Sequence, residues 1–296
     1  MKPGAFSYEA PATLQEVLQS LAVWNDNAKL IAGGQSLAPM LNMRLARPER
    51  LIDINRVNEL TGIANRDGRL RIGALVRHDA LASSEMIRSA CPMLAHAAET
   101  IGHYAIRKRG TIGGSLAHAD PAAQLPLVTL ALDAEMEIHS ARGIRMVPAR
   151  DFFLSIFTTI LEPDELLAAI HVPLSSPQEG WGFRLFNRRA GDFAIVSVAA
   201  TLARGADDTV GGLRLAIGGI GPVPVRAEQL VAGDLAKSLS KPLSKDWPAR
   251  VGAVVADTVE IEDNERIPVA FRKELVAALT REALDQALER IAERAS

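Results

Sequence analysis

Two short segments of this 296-residue chain carry residue types suited to holding an anionic cofactor. Ala32-Gly33-Gly34-Gln35-Ser36-Leu37 and Thr111-Ile112-Gly113-Gly114-Ser115-Leu116 each set a glycine pair ahead of a serine and an apolar residue. Glycine lets a backbone approach a ligand closely and adopt positive φ. Successive amides can then form a nest for phosphate oxygens, helped by a nearby helix N-terminus. Ser36 and Ser115 add hydroxyl donors. Two such loops suit the gripping of a pyrophosphate from two sides; the competing reading of each pair is an ordinary turn. Arg107-Lys108-Arg109, beside the second loop, either adds positive potential there or is a solvated turn. Gly218-Gly219-Ile220-Gly221-Pro222 reads as a strand-end turn.

Other chemistries find less support. No GxGxxG follows the first strand and there is no GxxxxGK[ST], so neither a Rossmann nor a P-loop fingerprint is present. Gly113-Gly114-Ser115-Leu116-Ala117 falls one glycine short of a nucleophile elbow. His118 and Asp120 read as a polar loop residue and a helix cap. His78, His96, His103, His139 and His171 lack metal-ligand spacing and read as surface or core residues. Cys91 is the single cysteine, which excludes an internal disulfide and a four-thiolate iron–sulfur cluster. Any redox chemistry would use an organic cofactor or a partner's centre. A formal net charge of −2 argues against a nucleic-acid partner. There is no long uncharged apolar run, and the N-terminus lacks a signal-peptide core, so a cytoplasmic protein is expected.

The elements that must position these loops are legible in part. Thr13-Leu14-Gln15-Glu16 is a capping-box pattern, followed by Leu14, Val17, Leu18 and Leu21 at helical spacing. Ala28 to Ala32 is a short apolar strand that runs into the first loop, and Leu51 to Ile54 is a second, so the N-terminus reads β–α–β. Leu70 to Ala74 reads as a strand. Residues 84–100 read as helical with a break at Pro92. Asp120-Pro121 predicts a helix start continuing through Leu132. Met136–His139 and Ile144–Val147 predict a hairpin. Ser175 to Gly180 is the best linker candidate. Strand-like runs follow at 181–187, 195–202 and 213–218, then an amphipathic helix with Leu284, Leu288 and Ile291 on one face. A single core rarely keeps growing beyond about 250–300 residues, and this chain stands at that limit, so two or three subdomains are expected.

At the loops the sequence resembles the FAD-binding medium subunits of the xanthine dehydrogenase and carbon monoxide dehydrogenase family of molybdenum hydroxylases. Lys29-Leu30-Ile31-Ala32-Gly33-Gly34-Gln35-Ser36-Leu37 resembles the first FAD loop, and Arg109-Gly110-Thr111-Ile112-Gly113-Gly114-Ser115 the second. Ala117-His118-Ala119-Asp120-Pro121-Ala122-Ala123, Arg188-Arg189-Ala190-Gly191-Asp192-Phe193-Ala194 and Phe271-Arg272-Lys273-Glu274-Leu275 continue the likeness in order.

The resemblance implies an α+β fold. A two-part FAD-binding domain of vanillyl-alcohol-oxidase type would span 1–176, with a βαβ unit at 1–55 and a mixed α/β unit at 56–176. A smaller α+β C-terminal domain of carbon monoxide dehydrogenase flavoprotein type would span 177–296. Leu30, Ala32, Gly33, Gly34, Gln35, Ser36, Leu37, Thr111, Gly113, Gly114 and Ser115 are the implied FAD contacts, with Ile101, Gln124, Leu167 and Arg184 beside them. Phe183 is implied as packing on the cofactor. Ile101, Leu167, Arg184 and Phe183 also read as plain core or surface packing.

No catalytic acid, base or nucleophile is nominated in this chain. The molybdenum cofactor and [2Fe-2S] clusters would sit on a large molybdenum-binding subunit and a small iron–sulfur subunit, in a dimer of heterotrimers. FAD would pass their electrons to an external acceptor. A stand-alone FAD oxidoreductase with its own substrate site is the alternative. The single cysteine excludes a four-cysteine insertion like that of the 4-hydroxybenzoyl-CoA reductase branch. Gln35 stands where carbon monoxide dehydrogenase relatives tend to have histidine, which looks more like the bacterial hydroxylases of N-heterocycles such as nicotine, quinoline or caffeine.

Overall fold

The computed structural model describes residues 2–205, 210–233 and 244–295. Its first unit runs β1 (Ser7–Glu9), α1 (Leu14–Trp24), β2 (Ala28–Ile31), α2 (Leu37–Asn42) and β3 (Arg50–Asp53). The capping box forms as the sequence predicts: Glu16 N donates to Thr13 Oγ1 at 3.2 Å, and Thr13 N donates to the Glu16 carboxylate at 3.1 Å. Val17 and Leu21 of α1 pack on Ile52 and Ile54. The three strands are parallel in the order β1-β3-β2, with Ile31 opposite Asp53. Parallel pairing therefore brings the C-terminal ends of β2 and β3 to one edge, the usual crevice for a ligand in such sheets. The first glycine loop leaves from that edge.

The second unit contains β4 (Ile63–Arg66), β5 (Arg69–Gly73), α3 (His78–Ser83), α4 (Glu85–Ala90), α5 (Pro92–Glu99), α6 (Tyr104–Arg109), α7 (Ile112–His118) and α8 (Gln124–Ala131). It continues with β6 (Glu135–Ser140), β7 (Gly143–Pro148), α9 (Ala149–Phe152), β8 (Phe153–Ser155), β9 (Thr158–Thr159) and β10 (Leu166–Pro173). Five of these strands form an antiparallel sheet, β4-β5-β10-β6-β7. Strand alternation turns Leu70, Ile72, Met136, Ile138, Ile170 and Val172 into a core shared with Leu94, Leu125, Leu127 and Val128 from the helices. The opposite face gathers Arg71, His139 and His171 on Glu137 at 2.6–2.9 Å. Burial pushes the Glu137 carboxyl up, but these donors outweigh it and bring it down to about 2.

Three expectations need correction here. The predicted helix at Asp120-Pro121 starts later, at Gln124, because Asp120 Oδ1 accepts from Ala122 N at 2.9 Å and closes an Asx turn first. The segment read as a second glycine loop is helical from Ile112. Residues 104–109, read partly as a turn, form α6.

The third unit is an antiparallel sheet, β11 (Glu179–Phe186), β12 (Val196–Arg204), β13 (Val210–Gly218) and β14 (Val225–Arg226), with helices α10 (Trp247–Thr258) and α11 (Val269–Ala295). Val196, Val198, Leu215 and Ile217 face the helices, while Ala199 and Ala216 face the second unit's core. The linker reading of Glu179 and Gly180 is a further correction: both lie in β11. A β-carbon at Gly180 would sit 1.9 Å from the Ala287 carbonyl, so that glycine admits α11 against the sheet. Among the described residues no helix is long and apolar enough to cross a membrane.

Candidate functional site

The first loop leaves β2 through Ala32. Gly34 adopts φ +69°, a region open to glycine and costly for other residues. Gln35 Nε2 donates to Gly33 O at 2.8 Å, folding the loop on itself. Ala38 N then donates to Gly34 O at 3.0 Å and opens α2. Among the described residues no protein acceptor faces the amides of Gly33, Gly34, Gln35, Ser36 or Leu37. These five consecutive donors lie on a half-exposed loop at the strand edge.

The second loop has the opposite character. Thr111 is the N-cap of α7, its hydroxyl accepting from Gly114 N at 3.1 Å. Ile112 N donates to Val76 O, Gly113 N to Ala74 O and Ser115 N to Thr111 O, all within 3.0 Å. The amides of residues 112–115 are thus committed to protein acceptors. The Ser115 hydroxyl remains available to face a ligand, and Gly114, exposed and without a side chain, leaves room for close approach. Gly113 is packed on the strand, since a β-carbon there would lie 2.4 Å from the Ala74 Cβ.

Beneath this turn sits His78, 6% exposed. Its Nε2 lies 2.9 Å from the Thr111 carbonyl, and burial depresses its pKa to about 4. The ring is therefore neutral near pH 7, and Nε2 carries the proton that it donates to that carbonyl. The sequence reading of His78 as surface or core resolves as core.

The two loops touch. A β-carbon on Gly33 would lie 2.2 Å from Arg109 O and 2.8 Å from Gly110 Cα, so the absence of one lets the strands of backbone meet. An Arg77 amino group donates to the same Arg109 carbonyl, and its other amino group donates to Asn55 Oδ1 at 2.6 Å. Asn55 Nδ2 reaches Ala32 O at 2.8 Å. Within the basic run, Arg107 donates to the carbonyls of Ile101 and Gly102, and Lys108 pairs with Asp79 at 2.7 Å. Arg109 is exposed, beside the loop contact.

The remaining implied contacts scatter. Leu30 is half-buried against the first unit's core. Ile101 packs at the edge of the second core, and Gln124 is buried, with Nε2 3.5 Å from Thr100 O. Leu167 is 3% exposed, inside that core at a bulge of β10. Phe183 is buried beside the His96 ring, 6.1 Å between centroids. Arg184 is on the opposite face of β11, its Nε 3.2 Å from Glu282 of α11. The 188–194 segment reaches the second unit at Gly191, where a β-carbon would lie 2.9 Å from His103.

Among the described residues no hydrolytic triad is assembled around Ser115. His118 stacks on Phe157 at 4.8 Å, and Asp120 is held by its own turn. Sequence reasoning missed Asp53, Asn55 and Arg77. The available signal was Asp53-Ile54-Asn55: two polar residues at the end of a buried strand whose parallel neighbour carries the glycine loop.

A half-exposed row of amides, kept open by glycine at the end of a parallel strand, is a fit for a cofactor diphosphate. Comparison with known proteins agrees. Residues 4–175 match the family described as the FAD binding domain in molybdopterin dehydrogenase, and residues 181–287 match the CO dehydrogenase flavoprotein C-terminal domain. The caffeine dehydrogenase subunit beta of Pseudomonas sp. (strain CBB1) is 36% identical over 98% of this chain and 97% of its own. Carbon monoxide dehydrogenase from Hydrogenophaga pseudoflava, solved in a form lacking the Mo-pyranopterin moiety of its molybdenum cofactor, superposes with a TM-score of 0.92 at 34% identity, covering 98% of this chain and 99% of that one. Quinoline 2-oxidoreductase from Pseudomonas putida 86 superposes with a TM-score of 0.91 at 34% identity, covering 98% and 100%.

Fold and site thus define a flavin-nucleotide-binding protein. The chain belongs to the FAD-binding medium subunits of the carbon monoxide dehydrogenase and xanthine dehydrogenase family, oxidoreductases of the molybdenum hydroxylase type.

Proposed function

We propose that this chain is the electron-transfer subunit of a molybdenum hydroxylase, receiving electrons from iron–sulfur clusters on a small partner and delivering them to an external acceptor. The large partner would carry the molybdenum cofactor and the substrate, in a cytoplasmic dimer of heterotrimers. The observation that carries this reading is the open row of amides at 33–37, in a chain related along nearly its whole length to medium subunits. Bound FAD can collect electrons singly and release a pair.

The chain's own part is to hold and orient that cofactor. The amides of Gly33, Gly34, Gln35, Ser36 and Leu37 would face the diphosphate, with Ala32 behind them, Leu30 at their base and Ser36 adding a hydroxyl. From the second loop Ser115 would donate its hydroxyl, Gly114 would allow close approach, and Thr111 and Gly113 would fix the turn. Ile101, Gln124, Leu167, Arg184 and Phe183 stay proposed as neighbours of the adenine or flavin. We place the cofactor domain at 1–176, divided at 55/56, and the C-terminal domain at 177–296.

We further place the parent complex among hydroxylases of N-heterocycles, on the strength of the caffeine and quinoline relatives and of Gln35. The carbon monoxide relative of comparable identity marks the competing branch.

The isolated chain, loaded with FAD and free of molybdenum and iron, should stay oxidised when caffeine or quinoline is added. Adding the large and small partners should bleach the flavin absorbance with the true substrate. Bleaching by the single chain alone would replace this reading with a stand-alone oxidoreductase.

A further inference from the structure

We propose that Asn55 and Arg77 form a clamp that aims the first loop's amides at the FAD diphosphate; the proposal rests on the reading that those amides hold it. Asn55 has its side-chain amide fixed on every side. Its Nδ2 donates to Ala32 O at 2.8 Å and to Asp53 Oδ1 at 2.6 Å, while its Oδ1 accepts from Arg77 at 2.6 Å. Its backbone N also donates to Asp53 Oδ1, at 2.9 Å, and Tyr8 holds the other carboxylate oxygen at 2.7 Å. Turning the amide over would set oxygen against two acceptors, so only one orientation is satisfied.

The consequence for the loop follows from peptide geometry. Ala32 C=O and Gly33 N–H belong to one trans peptide plane and point in opposite directions. Fastening the carbonyl to Asn55 therefore directs the Gly33 amide to the open side. Gln35 does the same for Gly34 through the Gly33 carbonyl. The Arg77 fork then joins this arrangement to the Arg109 carbonyl, the point where the second loop meets Gly33. One carbonyl from each loop is thus held by a single Asn–Arg pair; the Gly33 amide is left open, while the Gly110 amide that faces the Arg109 carbonyl donates to Ile106 O at 2.7 Å.

The test compares FAD dissociation constants and apo thermal midpoints for the full chain and for Asn55→Ala, Asn55→Asp and Arg77→Lys. Asn55→Asp can still accept from Arg77 but cannot donate to Ala32 O, so it should bind FAD about tenfold or more weakly, as should Asn55→Ala. It also carries the test if the alanine variant fails to fold. Arg77→Lys keeps the charge and loses the fork, and should show a smaller loss. The losses should exceed what the midpoints foretell. Affinities within about twofold of wild type, or losses that merely follow the midpoints, overturn the clamp. Gly34→Ala separates the two claims: if it weakens FAD binding while the Asn55 and Arg77 variants do not, the clamp fails and the amide nest stands. If all four bind FAD normally, the nest itself fails.

Discussion

The two glycine loops are near copies in sequence and opposites in hydrogen bonding. Among the described residues the first leaves five consecutive amides without a protein acceptor; the second commits the amides of residues 112–115 to Val76, Ala74 and Thr111. The cause is their surroundings. The first loop projects from the edge of a parallel sheet, with Asn55 holding it from behind and Gly33 resting on Arg109 and Gly110. The second is stitched to the strand-end segment 74–78 by a β-bridge between Arg77 and Thr111 and capped by the Thr111 hydroxyl. A repeated glycine pair ahead of a serine thus specifies a backbone that can come close to something. What it comes close to, a ligand in one case and Ala74 in the other, is decided by tertiary contacts.

The strongest way to break this contrast is to separate the loops. Gly33→Val would drive a β-carbon into the Arg109 carbonyl. Overpacking against backbone should cost about 2–3 kcal/mol of apo stability, measured by denaturant titration. The displaced nest should also lose FAD affinity by about two orders of magnitude, measured by flavin fluorescence. Unchanged stability together with unchanged affinity would mean the loops do not rely on each other.

The second loop's support can be tested through pH. Because His78 is held neutral, with its pKa lowered from 6.5 to about 4, the unfolded chain binds more protons between those values. Its contribution is complete above pH 6.5, is lost as pH falls toward 4, and changes no further below that. The whole shift corresponds to about 3 kcal/mol. His96 and His118, also lowered by burial, act in the same direction. Glu137, at about 2, acts in a lower window, below its ordinary value of 4.5. Stability measured from pH 7 to 4 should therefore slope less in His78→Gln than in the wild type. Parallel slopes would remove His78 from the account.

A smaller effect should come from Thr111→Val. It deletes the cap on Gly114 N and should cost about 1 kcal/mol of stability. FAD affinity should change less than about threefold, because the hydroxyl serves the helix. A larger loss of affinity with intact stability would return the Thr111 hydroxyl to the ligand and weaken the contrast between the loops.

Much of the architecture was readable beforehand because local rules fixed it. The Thr13–Glu16 capping box, the break at Pro92 and the hairpin through residues 140–143 are all determined within a few residues. The helix predicted at Asp120 slipped to Gln124 because an Asx turn competes with a cap for the same residues. The site was readable only as far as the glycines. Asn55 and Arg77 lie 22 residues apart and meet only through the folded chain. Nothing local distinguishes Gly113, pressed on Ala74, from Gly34 on its open loop.

The central claim is that FAD is held by the first loop's amides and not by the second's. Amide hydrogen exchange on the full chain, with and without FAD, measures this directly. Residues 33–37 should exchange freely in the apo chain and become protected when FAD binds, while 112–115 should be protected in both states. Gain of protection at 112–115 with no change at 33–37 would contradict the account.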